Sequence, residues 1–108
     1  FDGNKVLKNI SKILKTNGLF MLDCDNVFRL IQYLIKHQES IYNFDFDNME
    51  LIEKDKSGLR VRYYTIPELK NLFQNNGFKV IEIYGDYQKN KLDVNSKRIV
   101  LIAKKIKK

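Results

Sequence analysis

The sequence has no tryptophan, and among its 108 residues there is one proline (Pro67), one histidine (His37) and one cysteine (Cys24). Each scarcity removes a class of chemistry. A single cysteine cannot form an internal disulfide, and a reducing, cytoplasmic setting is the simplest expectation. A single histidine, set between Lys36 and Gln38, has no sequence partner for a metal site or a catalytic triad, and reads as solvent-facing. The five glycines (Gly3, Gly18, Gly58, Gly77 and Gly85) are all isolated, so no G-x-G-x-G loop is present to let backbone approach a nucleotide. No apolar run nears the ~20 residues of a membrane span. The start, Phe1-Asp2-Gly3-Asn4-Lys5, is polar and unlike a signal peptide. Because it opens on Phe1 and not Met, the expectation is a processed chain or a region that begins inside a longer protein.

Positive charge is abundant: 20 Lys and Arg against 13 Asp and Glu give a net charge of +7. That balance invites a nucleic-acid partner. The lysines are spread along the chain, though, and many fall on the polar faces of amphipathic segments. The one dense run, Lys104-Lys105-Ile106-Lys107-Lys108, reads as a solvated end. The 44% hydrophobic content is globular, and the length suits one domain with a modest core.

Hydrophobic spacing divides the chain into alternating elements. Val6, Leu7, Ile10, Ile13 and Leu14 form one apolar stripe, predicting a helix over 4–16 with Asn4 as N-cap and Gly18 just beyond its end. Leu19-Phe20-Met21-Leu22 is apolar at consecutive positions, the pattern of a central strand covered on both faces. A second helix is expected over 26–39. Residues 42–64 change character: Tyr42 to Asp47 alternates, and Met49–Glu53 and Leu59–Tyr63 flank a polar turn at 54–58, an antiparallel hairpin with one wet face. Thr65-Ile66-Pro67-Glu68 is a capping box with proline in the first turn. Leu69, Leu72 and Phe73 continue that helix, and Gly77 closes it. Strands are expected over 78–84 and 98–104, the last buried on both faces, with a polar loop over 85–97. The first helix and strand form half of a crossover unit, with no strand before the helix.

Four stretches together resemble the C-terminal half of class I S-adenosylmethionine (SAM)-dependent methyltransferases. Leu14-Lys15-Thr16-Asn17-Gly18 is similar to the "LKPGG" turn before that family's fifth strand, with Thr16-Asn17 where Pro-Gly is common. Arg62-Tyr63-Tyr64-Thr65-Ile66-Pro67-Glu68-Leu69 resembles the "R-Y-Y-T-x-x-E-L" entry to its last helix. Asn76-Gly77-Phe78-Lys79-Val80, running to Tyr84-Gly85-Asp86, resembles "GF-x-V" leading into "YGD". Ser96 to Lys105 is similar to the family's seventh strand.

The resemblance implies an α/β fold: residues 1–108 as the C-terminal part of a Rossmann-like methyltransferase domain. Its mixed sheet would have an antiparallel last strand and an inserted hairpin at about 42–64. It implies SAM in the parent protein, with the cofactor site on strands that precede Phe1, so no cofactor-binding residue is expected here. It also implies a small-molecule methyl acceptor. Residues at the C-terminal end of the first strand would face that acceptor. Asp23, Cys24, Asp25 and Asn26 stand there, with Asp25 and Asn26 as the candidates for acceptor contact; alternatively Asp25 or Asn26 simply caps the next helix. Arg62, as an anion contact, and Tyr64, as a pocket wall, are the candidates on the inserted hairpin. Alternatively, Arg62 pairs across the strands with Glu50 or Glu53. Cys24 reads as a small buried hydrophobe. Without a fourth strand, the Leu19–Asp23 edge should self-associate or pair with the missing N-terminal half. The competing reading is a basic α/β interaction or nucleic-acid-binding module without catalytic activity.

Overall fold

The structure, a computed structural model, describes residues 3–37, 42–53 and 59–106. Three helices and six strands follow in the order α1 (Gly3–Ile13), β1 (Leu19–Asp25), α2 (Val27–Lys36), β2 (Tyr42–Asp45), β3 (Glu50–Glu53), β4 (Arg60–Arg62), α3 (Ile66–Asn75), β5 (Phe78–Tyr84) and β6 (Arg98–Lys105). They build two sheets, one ordered β1-β6-β5 and one ordered β2-β3-β4.

In the larger sheet β6 lies between β1 and β5 and is antiparallel to both. β1 and β5 therefore run in the same direction without pairing with each other. β6 can occupy the centre because it is apolar at consecutive positions: Ile99, Val100, Leu101 and Ala103 are all buried. Alternation sends Phe20, Leu22 and Cys24 of β1 to the same face as Leu101 and Ala103, where Leu7 of α1 and Leu69 and Phe73 of α3 close over them. Phe73 is the hub of the aromatic packing, with ring centroids 5.9 Å from Phe20 and 5.8 Å, edge-on, from Phe78. β5 keeps Phe78, Val80 and Ile83 in this core despite their uneven spacing. A register shift between Val80 and Glu82 takes up Ile81 as an extra residue, which leaves both Ile81 and Glu82 exposed.

β1 departs from the sequence expectation. It is an edge strand in the described sheet, and its outer face is open, with Leu19 60% and Met21 53% exposed. The continuous apolar run promised cover on both faces, but α1 and α3 pack on the face of Phe20 and Leu22, and Leu19 and Met21 stay exposed. The region read as a hairpin is a three-stranded antiparallel meander. Tyr42–Asp45 pairs with β3 as β4 does. Asp45 ties the first turn, accepting from the backbone N–H of Asp47 at 3.0 Å and from the Asn48 side chain at 2.8 Å. The expected polar turn at 54–58 lies outside the described residues, as do the expected end of the second helix at 38–39 and the tail residues 107–108.

The ends of the helices follow local chemistry. Thr65 and Glu68 make the full capping box: Glu68 N–H donates to Thr65 Oγ1 (3.4 Å) and Thr65 N–H to Glu68 Oε1 (3.0 Å). Gly77, at φ 85°, takes the left-handed step after α3. At α1 the details differ from the sequence reading. The helix already includes Gly3, so Asn4 is a helical residue that accepts from the Asn76 side chain at 3.2 Å. The left-handed residue beyond α1 is Asn17 (φ 71°), not Gly18. Asparagine tolerates that conformation nearly as well as glycine.

A second departure concerns the basic end. Lys105, read as solvated, is only 5% exposed. Alternation along β6 points it to the same face as Ala103. Its ammonium donates to the carbonyl oxygens of Leu14 (2.6 Å) and Ser11 at the C-terminus of α1. Those carbonyls have no partner within the helix, and the helix dipole favours a cation beside them. Thr65→Ala should lower stability by about 1 kcal/mol through loss of the cap. Lys105→Met should cost about 2 kcal/mol, because a charged donor is removed from buried acceptors. Urea midpoints check both, and an unshifted midpoint in either variant would show that the contact contributes nothing.

Candidate functional site

A cavity of about 270 Å³ opens at the C-terminal end of β1. Leu22, Asp23, Cys24 and Asp25 form one wall, Arg98 of β6 another, and Val61 to Tyr64 at the end of β4 the third, with Leu69 behind. The small sheet thus reaches the strand end through the few residues between β4 and α3. A narrower cavity of about 210 Å³ lies alongside, lined by Asn26, Val27, Phe28, Ile66, Leu92, Val94 and Ile99 among others. The Tyr64 side chain borders both.

Register creates the charged cluster in the first cavity. Asp25 and Arg98 are directly opposed across β1 and β6, and Asp23 lies two residues along β1 on the same face. Arg98 Nε donates to Asp23 (2.7 Å) while its Nη1 donates to Asp25. Tyr87, from the 85–97 loop, donates its hydroxyl to the other oxygen of Asp23. Burial raises the Asp23 pKa, but the hydrogen bonds from Tyr87 and Arg98 and the Arg98 charge outweigh it. The net shift is below the ordinary 3.8. Tyr87 is correspondingly harder to ionise, chiefly because its proton is held by Asp23.

Arg62 is held from several sides. Its guanidinium donates to Glu68 at 2.7 Å and to the Tyr63 carbonyl, and lies 4.3 Å from the centroid of the Tyr64 ring. In the β-ladder Arg62 is opposite Glu50, yet Glu50 pairs with Arg60 (3.6 Å) and Arg62 turns instead to the first turn of α3. Glu68 therefore serves the helix cap and Arg62 together. Burial raises its pKa, while the Thr65 backbone donor and Arg62 bring it below the usual value.

Asn26 is 3% exposed. Its Oδ1 accepts from Phe28 N–H (3.2 Å), capping α2, while Nδ2 donates to the carbonyls of Asp93 (3.1 Å) and Ser96 (2.9 Å). One side chain thus starts α2 and holds the 85–97 loop. Gln32 adds a donor to Val94 O at 3.1 Å. Of the four residues singled out in the sequence, Asp25, Arg62 and Tyr64 line the larger cavity, and Asn26 lines the adjoining one. Asp23, named with Asp25 at the strand end, lines the larger cavity too, whereas Tyr87 and Arg98 were not singled out. The signal for Arg98 lay in the spacing Asp23-Cys24-Asp25 opposite it, legible only once β1 and β6 are paired.

Cys24 is partly buried, and burial, the largest influence, pushes its thiol up to about 11. It stays protonated near neutral pH and is a poor nucleophile. His37 is exposed and lies 4.3 Å, ring to ring, from Tyr33. Among the described residues no three His, Cys, Asp or Glu side chains group to hold a metal ion, and no helix is long and apolar enough to cross a membrane.

Glycines serve nucleotide binding where their missing side chains leave room for a ligand. A Cβ on Gly18 would instead meet Leu14 Cγ and the Lys15 carbonyl at 2.8 Å, and one on Gly85 would meet Ser96 Oγ at 2.4 Å. Both close approaches are to the chain's own atoms.

No family model matches the chain, and no curated protein matches it. Solved structures do. The CcbJ methyltransferase from Streptomyces caelestis superposes with a TM-score of 0.67 at 14% identity, covering 94% of this chain and 52% of that one. An S-adenosylmethionine-dependent methyltransferase from Clostridium acetobutylicum gives 0.68 at 16% identity, covering 96% and 51%. The fold is therefore the α/β arrangement found in one part of these methyltransferases, and the chain spans about half the length of the solved structures it matches.

The Asp23 interactions set a pH dependence. Its folded pKa is lowered, so its contribution is complete above the unfolded value near 3.8 and is lost as pH falls through the folded value. Asp23→Asn should flatten the loss of stability below about pH 4. Thermal midpoints across pH 2–6 measure this, and parallel profiles for the two proteins would exclude Asp23 as a contributor.

Proposed function

We propose that this chain is the acceptor-side half of a SAM-dependent methyltransferase that acts on a small molecule. One observation carries the reading: the β1-β6-β5 order, with its reversed central strand, sets a lined cavity at the C-terminal end of β1. In α/β sheets that is the end at which ligands are bound. The likeness to two methyltransferases over nearly the whole chain supports it.

In this reading the cofactor sits on a second half. SAM, when bound there, supplies an electrophilic methyl group. The residues of this chain take the acceptor. Asp25 and Tyr64 contact it, Arg62 fixes the Tyr64 ring, and Asn26 fixes the strand-to-helix corner and the loop beside it. Such catalysis rests mainly on placement of the acceptor. The open edge of β1 is where the second half, or a second copy, adds a strand. Its exposed Leu19 and Met21 favour cover, and the strand has no proline or bulge to discourage pairing.

Calorimetric titration tests the division of labour. The 108-residue chain should give no saturable heat with SAM, whereas a protein joining it to a glycine-rich half should bind SAM and transfer methyl groups. Micromolar binding by the chain alone, or no transfer by the joined protein, refutes the proposal. Light scattering on the isolated chain should report more than one copy per particle. A monomer whose β1 edge amides exchange freely with solvent would remove the proposed role of that edge.

A further inference from the structure

We propose that the two adjoining cavities are one bipartite site, and that its ligand is a small aliphatic or aromatic amine. The cationic head would lie beside Asp25, and the apolar body would pass the Tyr64 ring into the second cavity. This rests on the reading above that the cavity at the end of β1 takes the methyl acceptor, and it names that acceptor's chemical class.

Charge decides the head group. Two cations line the larger cavity, and both are neutralised in place. Arg62 is taken by Glu68 and stacked on Tyr64, and Arg98 is forked between Asp23 and Asp25. Within the lining Asp23 and Asp25 balance the two guanidinium groups, and Glu68, outside it, adds a third carboxylate; Arg29 and Lys97 line a different cavity that Asp25 also borders. The most accessible charge among these ion pairs is negative. The Asp25 side chain is 54% exposed, against 40% for Arg98 and 29% for Arg62. An anionic ligand would have to displace Glu68, Asp23 or Asp25 from an existing pair, whereas an ammonium group adds to Asp25 without breaking one. The expectation that Arg62 binds an anionic acceptor is therefore not favoured by this geometry.

Packing decides the remainder of the ligand. The second cavity is walled by Val27, Phe28, Ile66, Leu92, Val94 and Ile99, and its buried polar member, Asn26, already uses both amide protons and its oxygen. Thr65 and Asp93 also line it, and both are already engaged, Thr65 with Glu68 and Asp93 with Asn95 N–H and Ser96 Oγ. At about 210 Å³ it holds a short alkyl chain or one ring. The aromatic face of Tyr64 at the junction suits both the apolar body and the cationic head.

Titration of the 15N-labelled chain with hexylammonium, propylammonium, hexanol and hexanoate tests the proposal without any methyl donor. Hexylammonium should shift the amides of Asp25 and Tyr64 together with those of Phe28 and Val94, saturably. Each methylene removed should weaken binding about fourfold. Hexanoate should bind at least tenfold more weakly than hexylammonium. Asp25→Asn should erase the preference of ammonium over hexanol, and Phe28→Ser should weaken hexylammonium more than propylammonium. Equal binding of hexanoate, shifts confined to one cavity, or no saturable shift would each overturn the proposal. Amine binding with no methyl transfer by the joined protein would leave the bipartite site standing and defeat the methyltransferase reading. Methyl transfer to a carboxylate acceptor would do the reverse.

Discussion

Everything in the larger sheet depends on β6 being paired on both edges. Among the described residues it is the strand hydrogen-bonded to both β1 and β5, and its residues Leu101 and Ala103 form the floor on which α1 and α3 meet. A strand in that position must bury both faces and satisfy both rows of backbone groups. The run Ile99-Val100-Leu101-Ile102-Ala103 meets the first demand, and the ladders to β1 and β5 meet the second. The same strand carries polar groups at its two ends. Arg98 enters the charged cavity, and Lys105 closes the last turn of α1. The core, the site and the first helix are thus set by one eight-residue register.

At the two cavities single side chains hold more than one element. Glu68 caps α3 and holds Arg62, and Asn26 caps α2 and holds the 85–97 loop. Such side chains act through others. Asp25 and Tyr64 are different, because they border open volume as well as neighbours. The cavity walls come from three separate places, namely the strand end, the loop and the meander. This is the common way an α/β scaffold acquires its specificity.

Much of the fold was legible in the sequence where the cause is local. The capping box at Thr65, the glycine after α3 and the apolar run of β6 each work through neighbours a few residues away, and each stands as read. Legibility fails where the partner is distant. Lys105 looked like any lysine in a basic tail, and its burial depends on the carbonyls of Ser11 and Leu14 at the far end of the sequence. Asp23 and Arg98 become a cluster only through strand pairing. The apolar run of β1 spoke for two covered faces, although a strand can bury only the face on which something packs. The third strand of the meander was missed because four residues of alternating pattern carry little weight beside a stronger neighbouring hairpin.

The position of β6 in the chain also governs the order of events during folding. In the sequence it follows both strands with which it pairs, and the partners Leu19 and Lys104 sit near opposite ends. While the chain is being made, β1 and β5 emerge with no strand to join them, since neither pairs with the other. The meander and the capped helix α3 can form from local contacts, but the larger sheet must wait for the closing residues. Chain closure over such distances is slow, and an apolar strand waiting unpaired is exposed to wrong partners. A ribosome that stalls before Arg98 would release β1 and β5 without the strand that lies between them.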